Sequence, residues 1–202
     1  MSRAITGIKP TGTPHLGNYL GAIRPAIELT ETHECFLFIA DLHALTTETN
    51  PRYLSEQSYS IAATWLACGL DPEKAVFYLQ SDVPETTLLA WLLSCQTPLG
   101  FLERGHAINA ASVAGKQANH GLYAYPILMA ADILLCDADV VPVGKDQKQH
   151  LEIAQEVARK FNNTYGQLFK CPKPLIHEST MTVPGLDGRK MSKTYNNTID
   201  LF

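Results

Sequence analysis

The sequence predicts an α/β protein: a Rossmann-like parallel sheet with helices on both faces. Apolar runs of strand length alternate with longer stretches of helical periodicity, and the strand runs are apolar throughout, as expected where both faces of a sheet are covered. Over 202 residues, 46% hydrophobic and 18% charged residues describe an ordinary globular chain able to build one good-sized core. In order, the strand candidates are Ala4–Ile8, Cys35–Ala40, Ala75–Gln80, Val140–Val143 and the weaker Pro174–His177. Between them lie helix candidates at Gly17–Thr32, Pro51–Cys68, Glu85–Gln96, Tyr125–Cys136 and Asp146–Asn162. Pro51 suits a first helical turn, whereas Pro25 falls inside the first candidate and should kink or break it. Glu103–Gly121 is rich in small residues and interrupts the alternation. Two readings of it stand, an insertion between half-domains and a mobile surface loop.

A net charge of −4 argues against a surface coated for general nucleic-acid binding, although it leaves room for a local basic track. The five cysteines, at 35, 68, 95, 136 and 171, form no CxxC pair, so neither a zinc site nor a disulfide framework is expected. Met1 leads almost directly into Ala4-Ile5 with neither a signal peptide nor a spanning segment, and a soluble cytoplasmic protein is the expectation.

The first chemical motif follows the first strand. The turn Lys9-Pro10-Thr11-Gly12-Thr13-Pro14 leads into a helix opening near Gly17-Asn18. Strand, glycine turn and helix N-terminus aim backbone N–H groups at a phosphate. Gly17 offers close approach to the backbone, and His15 and Asn18 supply donors at the same point. The alternative is that these glycines merely shape a tight turn. Their spacing matches neither GxGxxG nor GxxxxGK[ST], which argues against a dinucleotide or Walker site. At the other end, Lys190-Met191-Ser192-Lys193-Thr194 follows Pro184-Gly185 and Asp187-Gly188 as a cationic loop. Taken alone, it also reads as an ordinary lysine-bearing surface loop.

The third motif is a helix. Tyr125, Met129 and Asp132 are spaced i, i+4, i+7 and share one face, and Asp132 is the lone carboxylate in an apolar stretch. A buried carboxylate needs a donor. An indole N–H fits, since it donates only and an ionised aspartate accepts only. A backbone N–H or an arginine would satisfy it equally. Val140 to His150 reads as a strand, a glycine turn and a helix start, with Asp146 in a position suited to an N-cap.

Pro14-His15-Leu16-Gly17-Asn18 resembles the "HIGH" signature of class I aminoacyl-tRNA synthetases, with Asn18 in place of the second histidine. Lys190–Thr194 resembles their "KMSKS" signature, with Thr194 in place of the final serine. The wider string from Thr6 to Ala22 and the helix Tyr125–Leu135 resemble the tryptophanyl branch of that family. The resemblance spans essentially the whole chain and implies a tryptophan–tRNA ligase catalytic domain. Such a domain activates L-tryptophan with ATP, accompanied by Mg2+ but with no dedicated protein metal site, and transfers it to tRNA(Trp).

The family implies catalytic roles for His15, Asn18, Lys190 and Lys193. It implies ATP contacts for Lys9, Pro10, Thr11, Gly17, Asn18, Gly144, Lys145, Asp146, Met181, Lys190, Met191, Ser192, Lys193 and Thr194. It implies tryptophan contacts for Asp132, Tyr125, Met129, Gln147, His43, Val141 and Val143. For His43, in Asp41-Leu42-His43 after the second strand, a plain structural bond at a strand end is the competing reading. The family further implies a homodimer and a helical anticodon-binding domain after the lysine loop. The sequence ends at Phe202, so a catalytic domain without that partner is expected. Lysines that relatives carry in the insertion are represented here only by Arg104 and Lys116. The main alternative is a non-catalytic tryptophan- or tRNA-binding module; a different adenylyl-transferring Rossmann enzyme is a third.

Overall fold

The computed structural model describes residues 1–102, 119–143, 148–175 and 183–202. Five parallel strands form one sheet: β1 (Arg3–Ile8), β2 (Glu34–Ile39), β3 (Ala75–Leu79), β4 (Val140–Pro142) and β5 (Lys173–Leu175). Their order across the sheet is β3-β2-β1-β4-β5. The chain therefore builds outwards from β1 to one edge, then returns to the other side of β1 at β4. In open α/β sheets, ligands bind beside the carboxyl ends of strands at such a reversal.

Alternation along the strands divides the core in two. Cys35, Leu37 and Ile39 of β2 pack with Ala4, Ile23, Leu29, Ile61 and Trp65 on one face. Phe38 and Ile5 pack on the other with Leu93, Ile127, Ala131 and Val157. Side chains at successive strand positions point to opposite faces, so apolar strands of this kind require a helical layer on each side.

The first helical stretch is interrupted at the proline, and the form of the interruption is informative. A short α1 (Leu16–Asn18) passes into a π-turn at Tyr19–Ile23 and then into α2 (Arg24–Leu29). Pro25 has no N–H to offer the carbonyl of Gly21. The turn widens so that the N–H of Arg24 bonds to the carbonyl of Tyr19, and the axis continues. After β2 comes α3 (Asp41–Ala44), then α4 (Pro51–Ala67), where the Asn50 side chain accepts from the N–H groups of Arg52 and Tyr53 and Pro51 takes the first turn.

A 3-10 turn, Gln80–Asp82, follows β3 and leads to α5 (Glu85–Ser94) and α6 (Leu99–Leu102). Then come α7 (His120–Leu135) and α8 (Lys148–Tyr165). Near the chain's end a second 3-10 turn covers Lys193–Tyr195.

Three boundaries depart from the sequence expectation. Helix α7 begins at His120, well before Tyr125, because Asn119 caps it by accepting from the N–H of Leu122. Pro126 deletes one rung inside the helix without ending it, since the buried face packs on α5 and α8. The stretch assigned to the insertion therefore gives up its last residues, Asn119, His120 and Gly121, to α7; residues 103–118 lie outside the described set. Strand β5 begins at Lys173, one residue before the candidate, and is described as far as Leu175; 176–177 lie outside the described set.

Candidate active site

A cavity of about 540 Å³ opens beside the carboxyl ends of β1 and β4. Val141 and Val143 line it from the β4 side, and Tyr125, Met129 and Asp132 line it from α7. His43 enters from α3 and Lys9 from the turn after β1. Gly7 permits the close packing of the adjacent wall, because the Phe38 ring stands where a Cβ at position 7 would be.

Asp132 is 2% exposed, and it is not unpartnered. Gln80 Nε2 donates to both carboxylate oxygens, at 2.8 and 2.9 Å, and His43 Nε2 lies 3.0 Å from Oδ2. An ionised Asp132 makes that imidazole nitrogen the donor. Gln80 is itself fully buried, and its Oε1 lies 3.4 Å from the backbone N–H of His43. Burial raises the Asp132 pKa; hydrogen bonds and charge from His43, and the amide of Gln80, oppose the rise, and nearby Asp41 adds to it. A carboxylate offers about four acceptor positions. Three contacts are made, so one position is open, and Asp132 lines the cavity.

A second cavity, of about 350 Å³, lies over the turn that follows β1. Thr11, Gly12, His15 and Asn18 line it from one side, and Ser192 and Lys193 from the other; Lys9 lines both cavities. The Lys193 Nζ donates to the carbonyl of Thr11 at 3.0 Å. Gly12 adopts φ 74°, and a Cβ there would lie 2.7 Å from the Lys193 Nζ, so backbone shape and lysine seat both call for glycine. The N–H of Gly17 donates to the Met191 sulfur at 3.2 Å, and Met191 is buried. The lysine run is thus docked on the first motif.

His15 is buried, and its Nδ1 has no hydrogen-bond partner among the described residues. Burial and the Lys193 charge lower the pKa of its imidazole, while Asp200 opposes them. Burial likewise lowers the pKa values of Lys9 and Lys193. Lys9 remains accessible within the cleft, its Nζ 5.7 Å from the centre of the Tyr125 ring. These are cations and donors whose charge is only partly answered by the protein, which suits a polyanion.

Comparison with known proteins accounts for this arrangement. The family model for class I tRNA synthetases (W and Y) matches residues 1–202. The chain belongs to that family. A tryptophan–tRNA ligase of Fusobacterium nucleatum is 53% identical over 203 residues, covering 100% of this chain and 62% of the relative. A crystal structure of tryptophanyl-tRNA synthetase from Campylobacter jejuni, complexed with ADP and tryptophan, superposes with a TM-score of 0.94 at 49% identity, covering 99% of this chain and 63% of that one. A tyrosyl-tRNA synthetase from Archaeoglobus fulgidus complexed with L-tyrosine reaches a TM-score of 0.78 at 25% identity, covering 98% of this chain and 61% of that one. The chain thus spans between about half and three fifths of the length of the relatives it matches, from 47% to 63%.

Measured against the synthetase expectation, the structure brings His43, Tyr125, Met129, Asp132, Val141 and Val143 around one cavity, and Lys9, Thr11, His15, Asn18, Ser192 and Lys193 around the other. Pro10 is buried beneath the first turn. Lys190 lies in the loop with its side chain exposed.

Two details differ from the sequence reading. Asp132 has side-chain donors of its own within the protein, neither the backbone N–H nor the arginine that the sequence suggested. A Cβ on Gly17 would meet the His15 ring and Met191, so the glycine also makes room for the packing of the lysine loop on the first motif. Gly144, Lys145, Asp146, Gln147 and Met181, and the side chain of Thr194, lie outside the described set.

Gln80 escaped the sequence reading, because a glutamine at the end of a strand carries no signal of its own. Its 52-residue separation from Asp132 hides the pairing. Among the described residues, no cluster of three or more His, Cys, Asp or Glu side chains is placed to hold a metal ion, and no helix is long and apolar enough to cross a membrane.

Proposed function

We propose that this chain activates L-tryptophan with ATP, forming tryptophanyl-adenylate, and that the activated amino acid is passed to tRNA(Trp). The observation that carries the reading is Asp132, a buried carboxylate that has one acceptor position open and lines an apolar cavity adjoining a cationic cleft. An indole N–H fills that position; phenylalanine offers no donor and would leave it unmet. Sites that demand a hydrogen bond reject such analogues by about 10⁴-fold or more. The ADP and tryptophan bound by the Campylobacter relative support the same assignment.

In the reaction, a carboxylate oxygen of tryptophan attacks the α-phosphorus of ATP, and the bond to the β-phosphate oxygen breaks, releasing pyrophosphate. No protein nucleophile is required. Tyr125, Met129, His43, Val141, Val143 and Gln147 hold the amino acid, and Asp132 reads its indole. Lys9, Pro10, Thr11, Gly17, Asn18, Gly144, Lys145, Asp146 and Met181 hold the nucleotide, together with the run from Lys190 to Thr194. At His15 the orphan Nδ1 supplies a ready partner for a phosphate oxygen. Lys190 and Lys193 meet the charge that builds on the leaving pyrophosphate, where stabilisation accelerates the step. Mg2+ accompanying the triphosphate would supply further positive charge there, held by the phosphates themselves.

Five free cysteines suit a reducing cytoplasm. Leu88, Trp91 and Leu92 of α5, with Leu99 of α6, are exposed and apolar, a face suited to a second subunit in a homodimer.

ATP–pyrophosphate exchange tests the proposal. Exchange with tryptophan, absent with tyrosine and phenylalanine and lost in Asp132→Asn at tryptophan concentrations that suffice for the wild type, is expected. Tryptophan binding without exchange would instead establish a binding module.

A further inference from the structure

The lysine loop carries its own internal anchor, and it lies outside the signature. Asn197 is 2% exposed although it sits in a surface loop region. Its Oδ1 accepts from the N–H of Ser192 at 2.8 Å. Its Nδ2 donates to Asp187 Oδ1 at 2.6 Å and to the carbonyl of Lys190 at 3.2 Å. The backbone carbonyl of Asn197 accepts from the N–H of Leu186 at 3.1 Å. A Cβ at Gly185 would collide with this side chain, so the glycine leaves the space that the amide fills.

One residue therefore holds the turn before the lysines, Asp187 through its side-chain amide and Leu186 through its backbone carbonyl, and the same amide holds the backbone on either side of Met191 (Lys190, Ser192). Two residues further on, the carbonyl of Ile199 accepts from the N–H of Leu16 at 2.9 Å, and the backbone of Asp200 pairs with that of His15 in an isolated antiparallel β-bridge. The segment from Asn197 to Asp200 is thus tied to both phosphate arms.

We propose that Asn197, acting with Asp187, is the positioning residue that fixes the lysine loop against the His15 turn, so that Lys190 and Lys193 meet the leaving pyrophosphate. This inference rests on the functional reading above. The chemistry of the pair is specific. Only a group that accepts on one side and donates on the other satisfies Ser192, Lys190 and Asp187 together. Asn197→Asp keeps the acceptor and turns a short hydrogen bond into two facing carboxylates. Adding Asp187→Asn restores one amide and one carboxylate to the pair, in exchanged places.

The experiment compares the 202-residue protein with Asn197→Asp, Asp187→Asn and the double variant in two assays. One is ATP–pyrophosphate exchange set beside tryptophan binding by calorimetry. The other is limited trypsin digestion, reading cleavage after Arg189, Lys190 and Lys193 by mass. In Asn197→Asp, exchange should fall on the order of 100-fold, the scale for a misplacement of about 1 Å, with tryptophan affinity unchanged. Cleavage within the loop should accelerate, and the double variant should recover part of both, since the amide at 187 can meet the carboxylate at 197 while the Lys190 carbonyl stays without its donor. A double variant no better than Asn197→Asp overturns the proposal, as does an equal loss of tryptophan binding. A wild-type chain that binds tryptophan without exchange would refute the functional reading instead, and the trypsin pattern would still decide whether Asn197 and Asp187 fix the loop.

Discussion

The two ends of the cleft are finished to different degrees by the fold. At the end we assign to tryptophan, Asp132 already has donors: Gln80 and His43 hold the carboxylate at 2.8 to 3.0 Å, and both are buried with it. At the end we assign to phosphate, His15 Nδ1 is buried with no hydrogen-bond partner among the described residues, and the Lys193 Nζ donates to the backbone carbonyl of Thr11. One end is prepared to recognise a ground state, since its geometry is complete beforehand. The other holds donors in reserve for charge that appears later. Stabilisation that strengthens only as charge develops lowers the barrier, whereas uniform binding does not.

Lys193→Ala should produce the largest separation between the two ends. Exchange should slow on the order of 100-fold or more, the range for removing a group that meets developing charge, while tryptophan affinity stays within about twofold. Equal losses in rate and in affinity would erase the contrast. Asp132→Asn should give the reverse pattern with a smaller magnitude. Hydrogen bonds to a charged group are worth roughly 1.5–3 kcal/mol, so tryptophan affinity should fall by about 10- to 100-fold. The diagnostic ligand is 1-methyltryptophan, which lacks the N–H. Asp132→Asn should lose its preference for tryptophan over this analogue, and a preference retained in full would remove the indole contact from the account.

Much of this division is legible in the sequence, for identifiable reasons. Four strands announce themselves because β1 to β4 are apolar runs, three of them inside the sheet and β3 at one edge. Strand β5, at the edge and only Lys173–Leu175, is short and includes a proline. The face shared by Tyr125, Met129 and Asp132 follows from helical spacing alone. The start of α7 does not, since Pro126 imitates a first-turn proline and the capping Asn119 lies outside the apolar run. Gln80 and Asn197 were invisible for a deeper reason. Each is an ordinary amide whose role depends on partners brought to it by the fold. A motif reports the groups that face the ligand, and the side chains that aim them leave no fixed spacing. Gly17 shows the converse: its place in the motif was legible, while its immediate neighbours, His15 and Met191, are set by docking of the distant loop.

Gln80→Leu sharpens the comparison from inside the finished end. The substitution removes the amide that spans both Asp132 oxygens and leaves a buried carboxylate short of donors. A loss of roughly 1–3 kcal/mol in stability is expected, read by thermal or denaturant unfolding. Tryptophan affinity should change several-fold, with Lys193 function retained, so that exchange at saturating tryptophan stays near the wild-type rate. A large fall in that rate would mean that the amino-acid pocket and the phosphate arms are not energetically separate.

The smallest effect expected is one of pH, and its two components have opposite signs. Burial raises the Asp132 pKa above the usual 3.8, with His43 and Gln80 opposing the rise. Between the ordinary and the raised value, the folded chain holds a proton that the unfolded chain has released, so this group's contribution to stability falls as pH rises through that window. Tryptophan binding runs the other way. The indole N–H needs the ionised carboxylate, and affinity should be gained as pH rises through the raised value. Calorimetric titration of tryptophan across the acid range should therefore show weakening with a midpoint above 3.8, under conditions where the chain stays folded. In Asp132→Asn that dependence should flatten. A profile that keeps its midpoint in the variant would assign the titration to another group and leave Asp132 ionised throughout.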